Sequence, residues 1–140
     1  MDRQKGPKDV QAELLGILSR ANGFIERMGH SNNRAAIAQF CVKMEDSLDG
    51  IERLLGLSDS ASSRINANRR AQLLSVFRRE EKGRSEIGPF EEQHVLYADR
   101  ILKHVNELLR DGIRVMPTET LVNAYTDARE SYKELFARIG

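Results

Sequence analysis

The stretch IAQFCVKMEDSLDGIERLL, residues 37–55, decides the fold class of this chain. Its apolar side chains recur in steps of 4, 3, 4, 3 and 4 residues, which places them along one stripe of an α-helix. The members of this stripe are Ile37, Cys41, Met44, Leu48, Ile51 and Leu55. The charged residues between them are mixed in sign, and we expect them on a solvated face. The pattern predicts an amphipathic helix over 31–57, capped by Ser31 or Asn32.

Three further segments repeat this spacing. The first covers 7–29, the next begins at Pro89 and ends at Gly112, and the last begins near Pro117. Their stripes are Val10, Leu14, Ile17, Ala21, Phe24 and Met28, with Leu18 and Ile25 alongside; His94, Ala98, Ile101, Val105 and Leu108; and Leu121, Tyr125, Ala128, Tyr132, Leu135 and Ile139. Spacing of this kind lets helices pack at ~20° with interdigitating side chains. The sequence predicts an all-α bundle of four to five antiparallel helices with coiled-coil-like seams.

Length and composition agree with one globular domain. The chain has 140 residues, of which 40% are hydrophobic and 31% charged, enough for a substantial core. We expect a flexible N-terminus over 1–6 and a single helical-bundle domain over 7–140. Cys41 is the only cysteine, which excludes an intramolecular disulfide and a zinc site built on cysteines. Because Cys41 lies on an apolar stripe, we interpret it as a small core residue rather than a nucleophile.

The sequence favours a cytoplasmic location. It contains no apolar run of the ~18 residues that a membrane-spanning helix needs. The charged N-terminus is not followed by the uninterrupted apolar stretch of a signal peptide. A lone cysteine suits a reducing compartment. We therefore expect a cytoplasmic protein that does not engage a membrane.

Residues 60–84, which we call the basic segment, lack the apolar stripe. Within them, 62–84 carries seven cations and two anions, a net charge of +5 in a chain of net +1, so the remainder carries −4. On a helical wheel one side of the segment holds only cations and small polar groups, whereas its apolar residues and both anions lie on the other side. The members of this basic face are Arg64, Asn68, Ser75, Arg78, Arg79 and Lys82.

Three interpretations of the basic face stay open. It is an ordinary solvated helix face, neutralised by acids elsewhere in the chain. Alternatively it binds an acidic surface of a partner protein or of a second copy, since arginine matches carboxylate geometry. As a third possibility it follows the phosphate backbone of a nucleic acid. Phe77 is the only aromatic residue among the arginines and points inward, which disfavours base stacking on single strands but leaves duplex RNA or DNA.

Catalytic and cofactor motifs are missing from the sequence. It has no glycine-rich phosphate loop, because its glycines are dispersed. Glu91 and His94 have the i, i+3 spacing of carboxylate-bridged di-iron bundles, but such bundles need this pair twice. We interpret His94 as a residue of the first helical turn at the edge of the bundle. The chain is therefore expected to be no enzyme and to bind no cofactor or metal.

Tyr125 and Tyr132 lie one heptad apart in the last segment. They form either the amphipathic edge of the core or partner-facing anchors, since tyrosine is enriched in binding hot spots. The sequence as a whole predicts a non-enzymatic protein-binding bundle, a small adaptor, regulator or inhibitor, with self-association as one form of binding. Nucleic-acid binding through the basic face is the alternative. The identity of the partner is not encoded in these patterns.

Overall fold

The computed structural model describes residues 7–57, 68, 71, 72, 75 and 88–138, and within them the chain forms four α-helices and no strand. The helices are α1 (Pro7–Met28), α2 (Arg34–Leu54), α3 (Pro89–Arg110) and α4 (Glu119–Ala137). The all-α prediction is confirmed for these residues. The predicted flexible N-terminus and most of the basic segment lie outside them.

The helices begin and end where their local chemistry predicts, with one correction. The cap of α2 is Asn33, whose side chain accepts a hydrogen bond from the backbone N–H of Ala36 at 3.0 Å. Ser31 is instead buried and accepts from the N–H of Asn33 at 3.1 Å. Gly56 and Gly112 follow the ends of α2 and α3 with φ angles of 70° and 73°, a conformation that costs glycine little.

The core consists of the predicted apolar stripes. Every stripe residue predicted for α2, α3 and α4 is buried, apart from Ile139, which lies outside the described residues. In α1 the buried stripe is rotated slightly from the prediction. Leu18 and Ile25 are buried, while Ile17 and Phe24 pack only partly against the core. The burial of the stripes follows from their spacing, since each helix has one apolar side to cover.

The direction of α2 and α3 relative to each other follows from their contacts. Lys43 pairs with Asp99 at 3.0 Å, and further along both helices Gly50 lies against Val105. Because both positions advance together, α2 and α3 run parallel. The helices α1 and α4 also run parallel. Leu15 and Thr120 line one groove between them, and Glu26 and Glu134 line a second groove further along both helices.

The other two neighbouring pairs run in opposite directions. Across α2 and α4, Glu52 bonds to Tyr125, whereas the earlier Glu45 bonds to the later Tyr132. The helices α1 and α3 also pack on each other in opposite directions. Going around the bundle, the order is α1, α4, α2, α3, so that α1 lies diagonally opposite α2 and α3 lies diagonally opposite α4, whereas α2 and α3 are direct neighbours. The prediction that neighbouring helices are antiparallel throughout is therefore not confirmed.

Gly50 permits a close approach of α2 and α3. A Cβ atom at this position would overlap a methyl group of Val105 and lie 3.3 Å from a methyl group of Leu109. We expect Gly50→Ala to lower the free energy of unfolding by about 1–3 kcal/mol, because the packed helices must shift.

Gly16→Ala is the matched control for this substitution in α1. Its new Cβ would meet only the flexible end of Arg20, at 3.5 Å. We expect it to raise the free energy of unfolding by up to ~1 kcal/mol, since alanine is the better helix former. Urea unfolding of both variants measures whether the free energy of unfolding falls in Gly50→Ala and rises in Gly16→Ala. A Gly50→Ala protein at least as stable as the wild type would contradict the close approach.

Candidate functional site

A polar network joins α2 to α4 in the interior of the bundle. Its central residue is Arg129, whose side chain is 11% exposed. The guanidinium donates to Glu45 at 2.7 Å and to Asp49 at 2.8 Å, and its Nε donates to the hydroxyl of Tyr125 at 3.0 Å. Glu45 itself is 1% exposed. We call this set, together with Glu52 and Tyr132, the Arg129 network.

The two predicted partner-facing tyrosines both belong to the Arg129 network. Tyr125 donates its hydroxyl hydrogen to Glu52 at 2.8 Å, and Tyr132 donates to Glu45 at 3.3 Å. Both rings are buried. A partner would have to open the bundle to reach them, so their burial favours the other interpretation, an edge of the core with satisfied hydroxyls. Their role as binding anchors stays a prediction.

Electrostatics keep two groups of the network, the hydroxyl of Tyr125 and the guanidinium of Arg129, protonated. Burial raises the pKa of Tyr125, so its hydroxyl remains a donor. Burial alone would lower the pKa of Arg129, but Tyr125, Asp49 and Glu45 outweigh it and raise that pKa. A permanently charged guanidinium between two carboxylates forms short, charge-assisted hydrogen bonds. The arrangement joins α2 to α4 through buried and partly buried charge-assisted bonds.

Sequence reasoning missed the Arg129 network, although a signal was present. Glu45, Asp49 and Glu52 follow one another at i, i+4 and i+7, which is one stripe of α2. The same spacing places Tyr125, Arg129 and Tyr132 on one stripe of α4. We expected the charges of α2 on a solvated face, and for Glu45 that prediction was wrong, because α4 covers it.

Cys41 lies in the core, as predicted. It is a free, buried thiol. Burial raises the pKa of Cys41 strongly, and the charge of Glu45 raises it further. A thiol held protonated in this way is a poor nucleophile.

His94 lies in an aromatic cluster between α1 and α3. The ring is buried, and its Nδ1 lies 2.7 Å from the carbonyl oxygen of Phe90. Because a carbonyl only accepts, Nδ1 carries a hydrogen in this contact. Nε2 has no hydrogen-bond partner among the described residues. The rings of Phe24 and Phe90 lie 4.9 and 4.4 Å away, so this histidine is a core residue with one of its two nitrogens bonded.

The basic face is described at two of its six predicted positions. Asn68 and Ser75 have helical backbone conformation and are exposed, as are Ala71 and Gln72 between them. These four positions share one side of a helix. The predicted binding cations Arg64, Arg78, Arg79 and Lys82 lie outside the described residues.

Three of the five large exposed apolar residues among the described residues lie toward one end of the bundle, whereas Phe90 and Leu96 lie near the start of α3 at the other end. Leu15 is near the start of α1, Leu57 follows the end of α2, and Met116 lies in the loop before α4. Two hydrogen bonds bring these parts together. The N–H of Val115 donates to the carbonyl oxygen of Leu54 at 3.2 Å, and the side chain of Gln11 donates to that of Met116 at 3.2 Å. We call Leu15, Leu57 and Met116 the apolar end.

The described ranges hold no group of three histidine, cysteine, aspartate or glutamate side chains placed to bind a metal ion. No helix within those ranges has the length and hydrophobicity to cross a membrane. Comparison with known proteins adds no relative, since no protein family, no curated protein and no solved structure matches the chain.

Proposed function

We propose that this chain is a non-enzymatic protein-binding bundle, a small adaptor, regulator or inhibitor, that contacts its partner through the apolar end. The observation that carries the proposal is Met116, whose side chain is 74% exposed. Covering so exposed an apolar side chain is favourable, because it removes apolar surface from water. Methionine adapts its shape to the surface that it meets, which suits a contact residue.

The loop that presents Met116 is held on both sides. Val115 is buried and bonded to the end of α2, and Gln11 of α1 binds the carbonyl of Met116. Pro117 follows directly and restricts the backbone further. The backbone of such a loop loses little conformational freedom on binding, and more of the burial of Met116 therefore contributes to affinity.

Self-association at the apolar end is one form of this binding. The apolar stripes of the four described helices are buried against one another. A second copy would therefore have to bind a surface other than one of these stripes. We propose a cytoplasmic setting, supported by the lone buried thiol. Interdigitated, coiled-coil-like packing of the stripes is proposed on their 3.5-residue spacing.

Quantitative affinity capture tests the proposed contact. The immobilised full chain, Met116→Asp and Leu96→Asp are incubated with lysate of the source organism, and sedimentation velocity measures self-association of each. Leu96 is a matched control because it is also an exposed apolar residue, 55% exposed on α3. We expect Met116→Asp to reduce the amount of captured partner, or the affinity of self-association, by about tenfold or more, as at a hot spot. Equal capture and equal sedimentation of all three proteins would contradict the proposal.

Nucleic-acid binding through the basic face is the second candidate function. It is favoured by the exposure of Asn68 and Ser75, because both were predicted on that face. Titration of labelled duplex and single-stranded RNA and DNA at ~50 and ~200 mM salt tests it, since phosphate contacts weaken steeply with salt. The comparison variant replaces Arg64, Arg78, Arg79 and Lys82 together by glutamine. Absence of binding at the lower salt would eliminate this candidate.

A further inference from the structure

An open groove of about 410 Å³ lies between α1 and α4, next to the apolar end. Leu15 and Thr120 line it near the starts of the two helices, and Asn22 and Asp127 line it further along. Leu15 and Asn22 are seven residues apart, so the groove is about two helical turns, or ~10 Å, long. Its size suits one side of a short helix rather than a globular surface.

The groove continues the surface of the apolar end. Gln11 lies one turn before Leu15 on α1, and its side chain binds the carbonyl oxygen of Met116 at 3.2 Å. Met116 in turn precedes Thr120 by four residues. Leu15 therefore lines one end of the groove, and the backbone of Met116 lies beside that end, outside the groove lining. Apolar residues of a bound helix would be covered there.

The opposite end of the groove carries a negative charge. Among the described residues, Asp127 is the only charged one that lines the groove, and it is exposed. It forms no ion pair within the part of the chain that the structure describes. The neighbouring acid on the same helix, Glu130, has Lys133 at 3.8 Å. Asp127 thus offers an unneutralised carboxylate to whatever enters the groove.

We propose that the groove binds an amphipathic helix of the partner protein, with apolar residues on Met116 and Leu15 and a lysine or arginine beside Asp127. The proposal rests on the proposed function and specifies the chemistry of the partner at that site. Amphipathic helices commonly bind by laying their apolar side along a groove. Here Leu15 would meet that apolar side, whereas Ser19, Asn22 and Asn123 line the groove with polar groups. Charge complementarity assigns the sign: a basic helix neutralises Asp127, whereas an acidic helix would place two carboxylates together.

Binding of two labelled peptides to the full-length protein tests whether the groove prefers a positively charged helix. Both are amphipathic peptides of about 18 residues with the same leucine pattern, a length at which helices begin to form in water. The polar side of one carries lysine and that of the other glutamate. We expect the lysine peptide to bind at least about fivefold more tightly at ~150 mM salt, as one favourable contact replaces one repulsive contact. Equal affinities, or no binding of either peptide, would overturn the proposal.

Two matched charge reversals distinguish binding in the groove from general attraction of the lysine peptide to an acidic surface. Asp127→Lys and Glu130→Lys make the same change of charge, one inside the groove and one outside it. We expect Asp127→Lys to weaken the lysine peptide on the order of fivefold, and Glu130→Lys less than twofold. Equal weakening by the two variants would overturn the assignment, and circular dichroism checks that both remain folded.

The outcomes distinguish this inference from the function on which it rests. If Met116→Asp abolishes capture of the partner while Asp127→Lys changes neither capture nor peptide binding, the protein-binding function stands and the groove proposal falls. If Met116→Asp leaves capture and sedimentation unchanged, the proposed function falls. A peptide that spans residues 60–84 serves as the third probe. If it binds and the lysine peptide does not, the occupant is a second copy, and binding of a helix from another protein is overturned.

Discussion

Replacing Leu48 by aspartate is expected to unfold the bundle. Leu48 lies in the middle of α2, the helix that packs against both α3 and α4, and its side chain is fully buried. The substitution removes an apolar contact worth about 2–3 kcal/mol and places a carboxylate where the surroundings are apolar. Together these effects exceed about 4–5 kcal/mol, which is comparable with the whole stability of a small domain.

Circular dichroism and thermal melting measure this result. We expect Leu48→Asp to lose most of its helical signal and its cooperative transition. Leu96→Asp is the control, because it introduces the same charge at an exposed position of α3. It is expected to change stability by less than about 1 kcal/mol. A normal melting curve for Leu48→Asp would mean that the core of α2 is assigned wrongly.

Replacing Arg129 by methionine is expected to have the second-largest effect. Glu45 would keep the hydroxyl of Tyr132 but lose the guanidinium that lies 2.7 Å away. Asp49 would lose its bond to the same group. Removing one member of a buried ion pair costs about 3–5 kcal/mol, because the remaining charge stays out of water. We expect a loss of this size in urea unfolding.

Lys133→Met is the matched control for Arg129→Met. It removes a cation one turn further along α4, where the lysine side chain is exposed and lies 3.8 Å from the carboxylate of Glu130. Its effect is expected within about 0.5 kcal/mol. The double variant Arg129→Met with Glu45→Gln is expected to be more stable than the sum of its single effects, since the uncompensated charge is gone. Equal losses in Arg129→Met and Lys133→Met would contradict the structural role of the network.

The sequence predicted the helices and their buried stripes well, because spacing alone decides which side of a helix is apolar. The stripe from Ile37 to Leu55 is buried throughout, and Gly56 and Gly112 stop their helices as expected. Periodicity does not determine which helices become neighbours. The long connection between α2 and α3 permits these two helices to run parallel, and the spacing within each helix is the same for either direction.

The candidate sites were harder to predict for the same reason. Glu45 looks like any exposed acid of an amphipathic helix until α4 is known to cover it. Arg129 finds its carboxylates only when α2 and α4 lie side by side. Met116 belongs to no periodic segment, and its exposure depends on hydrogen bonds to Gln11 and, through Val115, to Leu54. The two tyrosines were predicted to be either an edge of the core or partner-facing anchors. Their hydroxyls bind groups within the bundle, and their role as anchors stays a prediction.

Oxidation of methionine is the most direct test of the central claim, that the protein binds its partner through the apolar end. Met116 is exposed, whereas Met28 and Met44 are fully buried and serve as internal standards. Mild peroxide treatment followed by mass spectrometry is carried out on the free protein and on the complex recovered by capture. We predict rapid oxidation of Met116 in the free protein and protection by about tenfold or more in the complex, because its side chain is then covered. Equal oxidation of Met116 in both samples would contradict the claim.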